Sequence, residues 1–215
     1  MFEHAFTLTS LLLLFTGYLL GSVSTAILVC RAMGLDDPRT VGSNNPGATN
    51  VLRHGGRKAA AITLFGDMLK GLLAVLLARL LSDAEFDLAL AGFGAFLGHL
   101  YPLYFRFQGG KGVATFFGAL LGIHWPAGIA ALLCWLLFAK VFRISSLAAL
   151  VTALAVPLLL HYFDSHRSVV LLSAVMSALL IWRHRSNIRN LLAGTEDAIA
   201  SREGVETERR RQQDD

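Results

Sequence analysis

The sequence predicts an all-α integral membrane protein of about seven transmembrane helices, two of them short, with glycine-rich loops on the cytoplasmic side. Three observations carry this reading. Hydrophobic residues make up 54% of the 215 and charged residues only 16%, against roughly 45–50% and about 25% in ordinary soluble domains. Apolar runs recur along nearly the whole length and mean hydropathy is +0.56, so too few polar residues remain to cover a water-soluble globule. Lysine and arginine are shared unequally among the connections between those runs, the asymmetry that orients membrane proteins. The same balance excludes a disordered chain. Cys30 and Cys134 each sit inside an apolar run, which leaves no disulfide framework and no zinc spacing.

The first run covers residues 6–33, long enough for a hydrocarbon core of about 30 Å, which takes roughly 20 helical residues. A cleavable signal would begin with bases; Met1-Phe2-Glu3-His4 has none, so the run is expected to remain as an anchor. Further spans are predicted over residues 59–81, 86–105, 113–124, 127–142, 144–163 and 168–182. The stretch from 113 to 139 can be read as one long helix or as two legs broken at His124-Trp125-Pro126-Ala127-Gly128. Charge selects the hairpin. With two legs, every lysine and arginine except Lys70, Arg79 and Arg167 falls on one side, and Glu3, Asp83, Glu85, Asp87 and Asp164 mark the other. With one leg, Lys140, Arg143 and the arginines from Arg183 onward would land opposite the earlier bases, against the positive-inside tendency. The expected topology places the amino end outside and the carboxyl end in the cytoplasm, with the short legs tilted or the bilayer locally thinned. Residues 1–196 then form one transmembrane domain, and 197–215 a polar cytoplasmic tail, solvated or disordered.

Three polar stretches share the cytoplasmic face. The first connection is long for such a bundle, and its centre, Gly42-Ser43-Asn44-Asn45-Pro46-Gly47-Ala48-Thr49-Asn50, is dense in hydrogen-bonding groups between Arg39 and Arg53; long loops are where function concentrates. The second, Arg106-Phe107-Gln108-Gly109-Gly110-Lys111-Gly112, opens the apolar run at Val113. A glycine turn leading into a helix presents free N–H groups and a positive dipole end to a phosphate, and Lys111 adds a point charge. The spacing is not that of a Walker A loop, because Gly112 follows the lysine. The third, from Trp182 to Glu196, puts His184 and Asn187 three apart, on one helical face; Arg183, Arg185 and Arg189 there also satisfy plain membrane anchoring. Inside the second span, Asp67 and Lys70 lie three apart at membrane depth, where charges are costly and usually paired. Together these stretches suggest a pocket for phosphorylated ligands near the lipid boundary. A carrier of organic phosphate is the alternative, but its site would lie near the midplane between repeated halves, and no repeat is visible.

The combination GSNNPGATNVLR, GDMLKG, GGKGVAT and HRSNIRNLLAGTE resembles the bacterial acyl-phosphate:glycerol-3-phosphate acyltransferase family, PlsY, over about residues 21–196. The resemblance implies transfer from a long-chain acyl phosphate to the 1-hydroxyl of glycerol 3-phosphate, giving 1-acyl-glycerol 3-phosphate and orthophosphate in phospholipid synthesis at the bacterial inner membrane. Its partners would be those two substrates, membrane lipid and the enzyme supplying acyl phosphate; it implies no metal or organic cofactor and no nucleic acid. Carried onto this chain, the first motif supplies Ser43 and Arg53, with Asn45 and Asn50 in the same loop. The second supplies Gly109, Gly110, Lys111 and Gly112. The third supplies His184 and Asn187, with Glu196 in a structural role. Gln108 and Asn190 stand where the family usually carries a lysine and an arginine, removing two positive charges.

The chemistry suits these residue types. An acyl phosphate has a good leaving group, so the task is to hold two phosphates together and to stabilise a tetrahedral oxyanion. Lys111, Arg53 and helix-end N–H groups suit the first need, and Ser43, Asn45 and Asn187 the second. The attacking hydroxyl must lose a proton, either to His184 or to the glycerol phosphate itself, whose second pKa is about 6.

Overall fold

The computed structural model describes residues 6–199. The predicted outside position of residues 1–5, and the tail from 200 onward, lie outside the described residues. Among the described residues nine α-helices follow in order: α1 Leu8–Gly21, α2 Thr25–Ala32, α3 Ala48–Arg79, α4 Glu85–Leu100, α5 Val113–Ile123, α6 Trp125–Phe142, α7 Ser145–Tyr162, α8 Arg167–Arg183 and α9 Arg185–Ala193. A single 3₁₀ turn, Leu103–Phe105, extends α4. No strand occurs among the described residues.

Five stretches, including α1 with α2 and α4 with its turn, are long and apolar enough to cross a membrane, and α8 with α9 makes a sixth if that pair, bent by 57°, is one span. The seventh leg, α5, has only 11 residues, about 16 Å at the helical rise, well short of the hydrocarbon core. Large apolar side chains such as Leu12, Phe15, Phe65, Leu77, Leu133 and Leu158 point outward, as lipid-facing surfaces require.

The hairpin expected from charge is present. His124 breaks the chain between α5 and α6, its ring accepting from the Ala127 N–H at 3.2 Å while Pro126 occupies the first turn. The break sits at the end opposite the polar motifs, because Arg79, last residue of α3, donates to the Gly122 and Ile123 carbonyls at 2.9 and 3.0 Å. The α6 leg then returns to the motif end, where Ser145 meets Thr49 at 3.0 Å.

The first span differs from the continuous helix expected over residues 6–33. It unwinds at residues 22–24, and the freed groups are taken up by neighbours: Lys70 Nζ donates to the Val23 carbonyl at 2.7 Å, and Ser22 Oγ donates to the Tyr18 carbonyl at 2.8 Å. The expected Asp67–Lys70 pair forms at 2.9 Å, with His99 Nδ1 3.6 Å from the same carboxylate oxygen. A charge at the bilayer centre costs about 2.5–3.5 kcal/mol on insertion scales, so each group needs the other.

Close helix contact rests on small residues. Gly17 and Gly21 of α1, and Gly94 and Gly98 of α4, sit where a Cβ would strike the backbone of the facing helix, the small-xxx-small packing of membrane helices. The main apolar core gathers Phe96, Leu100, Phe116, Leu120, Leu160 and Leu180 from α4, α5, α7 and α8.

Candidate active site

Three loops converge at one end of the bundle, and their bracing differs. In the first, Asn50 is buried and spends its amide inside the loop: Nδ2 donates to the Pro38 and Val41 carbonyls at 2.9 and 3.1 Å, and Oδ1 accepts from the Ser43 N–H at 3.1 Å. Ser43 is thereby held in place while its own hydroxyl is exposed and makes no hydrogen bond among the described residues. Arg39 forks onto Asp37 at 2.6–3.2 Å, and that hydrogen bonding holds the Asp37 carboxyl below the usual carboxylate range. Asn45 is half-buried in the turn that precedes α3.

The glycine loop, residues 109–112, runs beneath that turn. The Gly110 N–H donates to the His99 carbonyl at 3.1 Å. A Cβ at Gly110 would collide with His99 Nε2 and lie 3.1 Å from the Pro46 carbonyl oxygen, so glycine is what lets the two loops meet. Gly112 caps α5 with φ +86°, a conformation that side-chain-bearing residues resist. The first intrahelical bond of α5 runs from Phe116 to the Gly112 carbonyl, and the N–H groups of Val113, Ala114 and Thr115 have no acceptor among the described residues. This is a helix N-terminus disposed toward an anion.

Lys111 leaves the loop toward the third motif. Its Nζ donates to Asn187 Oδ1 at 2.5 Å, Asn187 Nδ2 donates to Glu196 Oε1 at 2.6 Å, and Ser146 Oγ donates to the same oxygen at 2.6 Å. The amide thus relays the carboxylate to the ammonium without direct ion pairing. Burial lowers the Lys111 pKa to about 8, opposed by Glu196 and reinforced by Arg183 and Arg53, so the group carries its charge at pH 7.

His184 sits just past the end of α8, buried to 3% exposure. Its Nδ1 lies 2.8 Å from the Leu180 carbonyl. A carbonyl can only accept, so Nδ1 carries the proton and Nε2 is the acceptor of the neutral ring. Burial drives its pKa down to about 4; the Leu180 hydrogen bond opposes this and the Lys111 charge adds to it. The imidazole is therefore neutral at pH 7.

Arg53 Nη1 donates to Asp197 Oδ2 at 2.9 Å, and Nη2 donates to the Asp197 and Ala198 carbonyls at 3.2 and 3.0 Å. The described part of the tail therefore folds back over this end rather than leaving it, and the Ile199 N–H donates to the Arg143 carbonyl at 2.8 Å. Lys111, Asn187 and Glu196 are joined by direct bonds, His184 adjoins them, Ser43 and Asn50 share the neighbouring loop, and Arg53 is tied to the tail. Sequence reasoning missed Ser146 and discounted Arg183 as an anchor, although its guanidinium binds the glycine loop. Among the described residues no three His, Cys, Asp or Glu side chains gather as a metal-binding group.

Fold and site together define a multi-pass helical membrane protein whose polar groups, including a lysine and free helix N-terminal N–H groups suited to an anion, lie at one end of the bundle. The family model for glycerol-3-phosphate acyltransferase matches residues 11–194. A glycerol-3-phosphate acyltransferase from Burkholderia pseudomallei is 56% identical over 188 residues, covering 86% of this chain and 93% of the relative; one from Hydrogenovibrio crunogenus is 52% identical over 189 residues, covering 87% and 90%. The crystal structure of PlsY, an integral membrane glycerol 3-phosphate acyltransferase, in its glycerol 3-phosphate form, superposes with a TM-score of 0.85 at 36% identity over 91% of this chain and 98% of that one. Its lysophosphatidic acid form gives 0.80 at 36% identity. The chain belongs to the glycerol-3-phosphate acyltransferase family.

Proposed function

We propose that this protein transfers the acyl group of a long-chain acyl phosphate to the 1-hydroxyl of glycerol 3-phosphate, releasing orthophosphate. It does so at the cytoplasmic face of the bacterial inner membrane, with its amino end outside and its carboxyl end inside. The observation that carries the reading is the Lys111–Asn187–Glu196 chain set beside unpaired N–H groups of α5 and a neutral His184. Solved forms of a 36% identical family member with glycerol 3-phosphate and with lysophosphatidic acid support the acceptor and the product class.

The glycerol hydroxyl oxygen attacks the acyl carbon, the bond from that carbon to the phosphate oxygen breaks, and orthophosphate leaves. Lys111 and the N–H groups of the glycine loop and α5 hold the donor phosphate; Arg53 serves the acceptor phosphate once Asp197 is displaced. Ser43 and Asn187 donate to the oxyanion, while Asn45 and Asn50 shape the loop that presents Ser43. The hydroxyl proton goes to His184 Nε2 or to the acceptor phosphate dianion. The first route needs a neutral His184, which the burial of the ring provides.

Purified full-length protein in detergent, given labelled glycerol 3-phosphate with palmitoyl phosphate, acyl-CoA or acyl carrier protein thioester in separate reactions, tests the donor. Lysophosphatidic acid from palmitoyl phosphate alone supports the reading, and product from a thioester alone overturns it. Uptake of unaltered glycerol 3-phosphate into sealed vesicles without any product would point to a carrier.

A further inference from the structure

Three arginines follow one another at the end of the last span, and their surroundings differ. Arg185 is exposed and stacks on Trp182 at 4.6 Å, and Arg189 is exposed on α9. Arg183 turns inward. Its Nη2 donates to the Gly109 and Gly110 carbonyls at 2.8 and 2.9 Å, and its Nε donates to the Gly110 carbonyl at 3.2 Å. Its other side lies against the Tyr101 ring, 5.5 Å from the centroid. No carboxylate pairs with it among the described residues.

The geometry points to Arg183 as a positioning residue for acyl transfer, one that fixes the glycine loop so its N–H face and Lys111 meet the donor phosphate. The inference rests on the donor assignment above. In a trans peptide the N–H points away from the C=O. With the Gly109 carbonyl held by Arg183, the Gly110 N–H is turned to the His99 carbonyl. With the Gly110 carbonyl held by the same fork, the Lys111 N–H is turned away from Arg183, and it has no acceptor among the described residues. Two adjacent glycines have the greatest freedom to rotate out of this arrangement, so their peptide planes must be held from outside. Nη2 reaches both carbonyls and Nε adds a second bond to Gly110, three bonds from one rigid plane that a guanidinium holds pre-organised and a flexible ammonium does not. One helical turn on, Asn187 holds the Lys111 side chain. The junction of α8 and α9 therefore grips the loop twice, by its backbone through Arg183 and by its lysine through Asn187, with His184 between the two grips.

The test uses full-length Arg183→Gln, Arg183→Lys and Arg183→Ala proteins, with Arg185→Gln as the neighbouring control, assayed with palmitoyl phosphate and glycerol 3-phosphate. Arg183→Gln is expected to raise both the KM for palmitoyl phosphate and the inhibition constant of orthophosphate by about 10-fold or more, and to change the KM for glycerol 3-phosphate by less than about 3-fold. Arg183→Lys, which keeps the charge and the fold, is expected to recover only part of the loss. Added guanidinium at millimolar concentration should rescue Arg183→Ala where equal ammonium does not. Unchanged donor KM in Arg183→Gln, full activity in Arg183→Lys, or no guanidinium rescue would overturn the assignment. Wild-type protein inactive with palmitoyl phosphate would instead overturn the donor reading, and the positioning role with it.

Discussion

The two loops that meet at the site are held by opposite means. The first is fastened by the helix it leads into, through Asn50 in the first turn of α3, seven residues from the Ser43 N–H it binds. The glycine loop is fastened from without: His99 of α4, Arg183 of α8 and Asn187 of α9 each hold a different part of it. A loop braced by the one helix that follows it keeps its shape as long as that helix's first turn holds. A loop braced by three helices reports on how those helices pack, and it couples the donor side of the site to the bundle.

The largest effect that would test this contrast comes from Lys111→Met. It removes the buried charge and leaves Asn187 and Glu196 without their cation, and kcat/KM is expected to fall about 10³-fold, comparable to deleting an oxyanion donor; steady-state assays with palmitoyl phosphate check it. Next comes pH. With its pKa at about 8, protonated Lys111 predicts that kcat/KM declines as pH rises through about 8, and a flat profile to pH 9.5 would remove the charge from the mechanism. His184 acts in the other direction. Its folded pKa of about 4 lies below the ordinary 6.5, so the unfolded chain binds the extra proton between those values and stability is lost as pH falls from about 6.5 toward 4. Melting curves in detergent should show this slope in the wild type and a shallower one in His184→Asn.

Asn50→Ala should be milder than Lys111→Met. It leaves the Pro38 carbonyl and the Ser43 N–H without a partner, while the Val41 carbonyl keeps the Asn44 N–H, a cost of about 1–3 kcal/mol at a buried group, read as a lower melting temperature and about a 10-fold loss of kcat/KM. The smallest effect belongs to Asp197→Ala. Its carboxylate is 69% exposed, and exposed pairs contribute little, so the KM for glycerol 3-phosphate should fall by no more than about 3-fold.

Much of this was legible in the sequence because charge and glycine placement are strong signals in a bilayer. The hairpin at His124 followed from the bases at Lys140 and Arg143, and the paired Asp67 and Lys70 from the cost of burying either alone. Grouping three polar motifs on one face anticipated the contact between Lys111 and Asn187. The break at residues 22–24 was overlooked although Gly21-Ser22-Val23-Ser24-Thr25 interrupts the apolar run there, because small and hydroxyl residues are also tolerated inside a continuous span and only Lys70, distant in sequence, supplies the acceptor's partner. The glycine pairs of α1 and α4 carried a readable four-residue spacing that loop glycines overshadowed. Arg183 was misread because positive-inside anchoring accounts for any arginine at a helix end, and only the fold distinguishes one turned inward from Arg185 turned out. The return of residues 195–199 over Arg53 and Arg143 had no signal in a uniformly polar tail.

The most direct measurement is a double-mutant cycle on kcat/KM for palmitoyl phosphate, using Lys111→Met, Asn187→Ala and the pair. If the glycine loop and the third motif form one site, the double variant should be scarcely worse than the poorer single, a coupling of about 2 kcal/mol or more. Losses that multiply, so that the double variant falls by the product of the two singles, would mean that the residues act independently and would contradict the account.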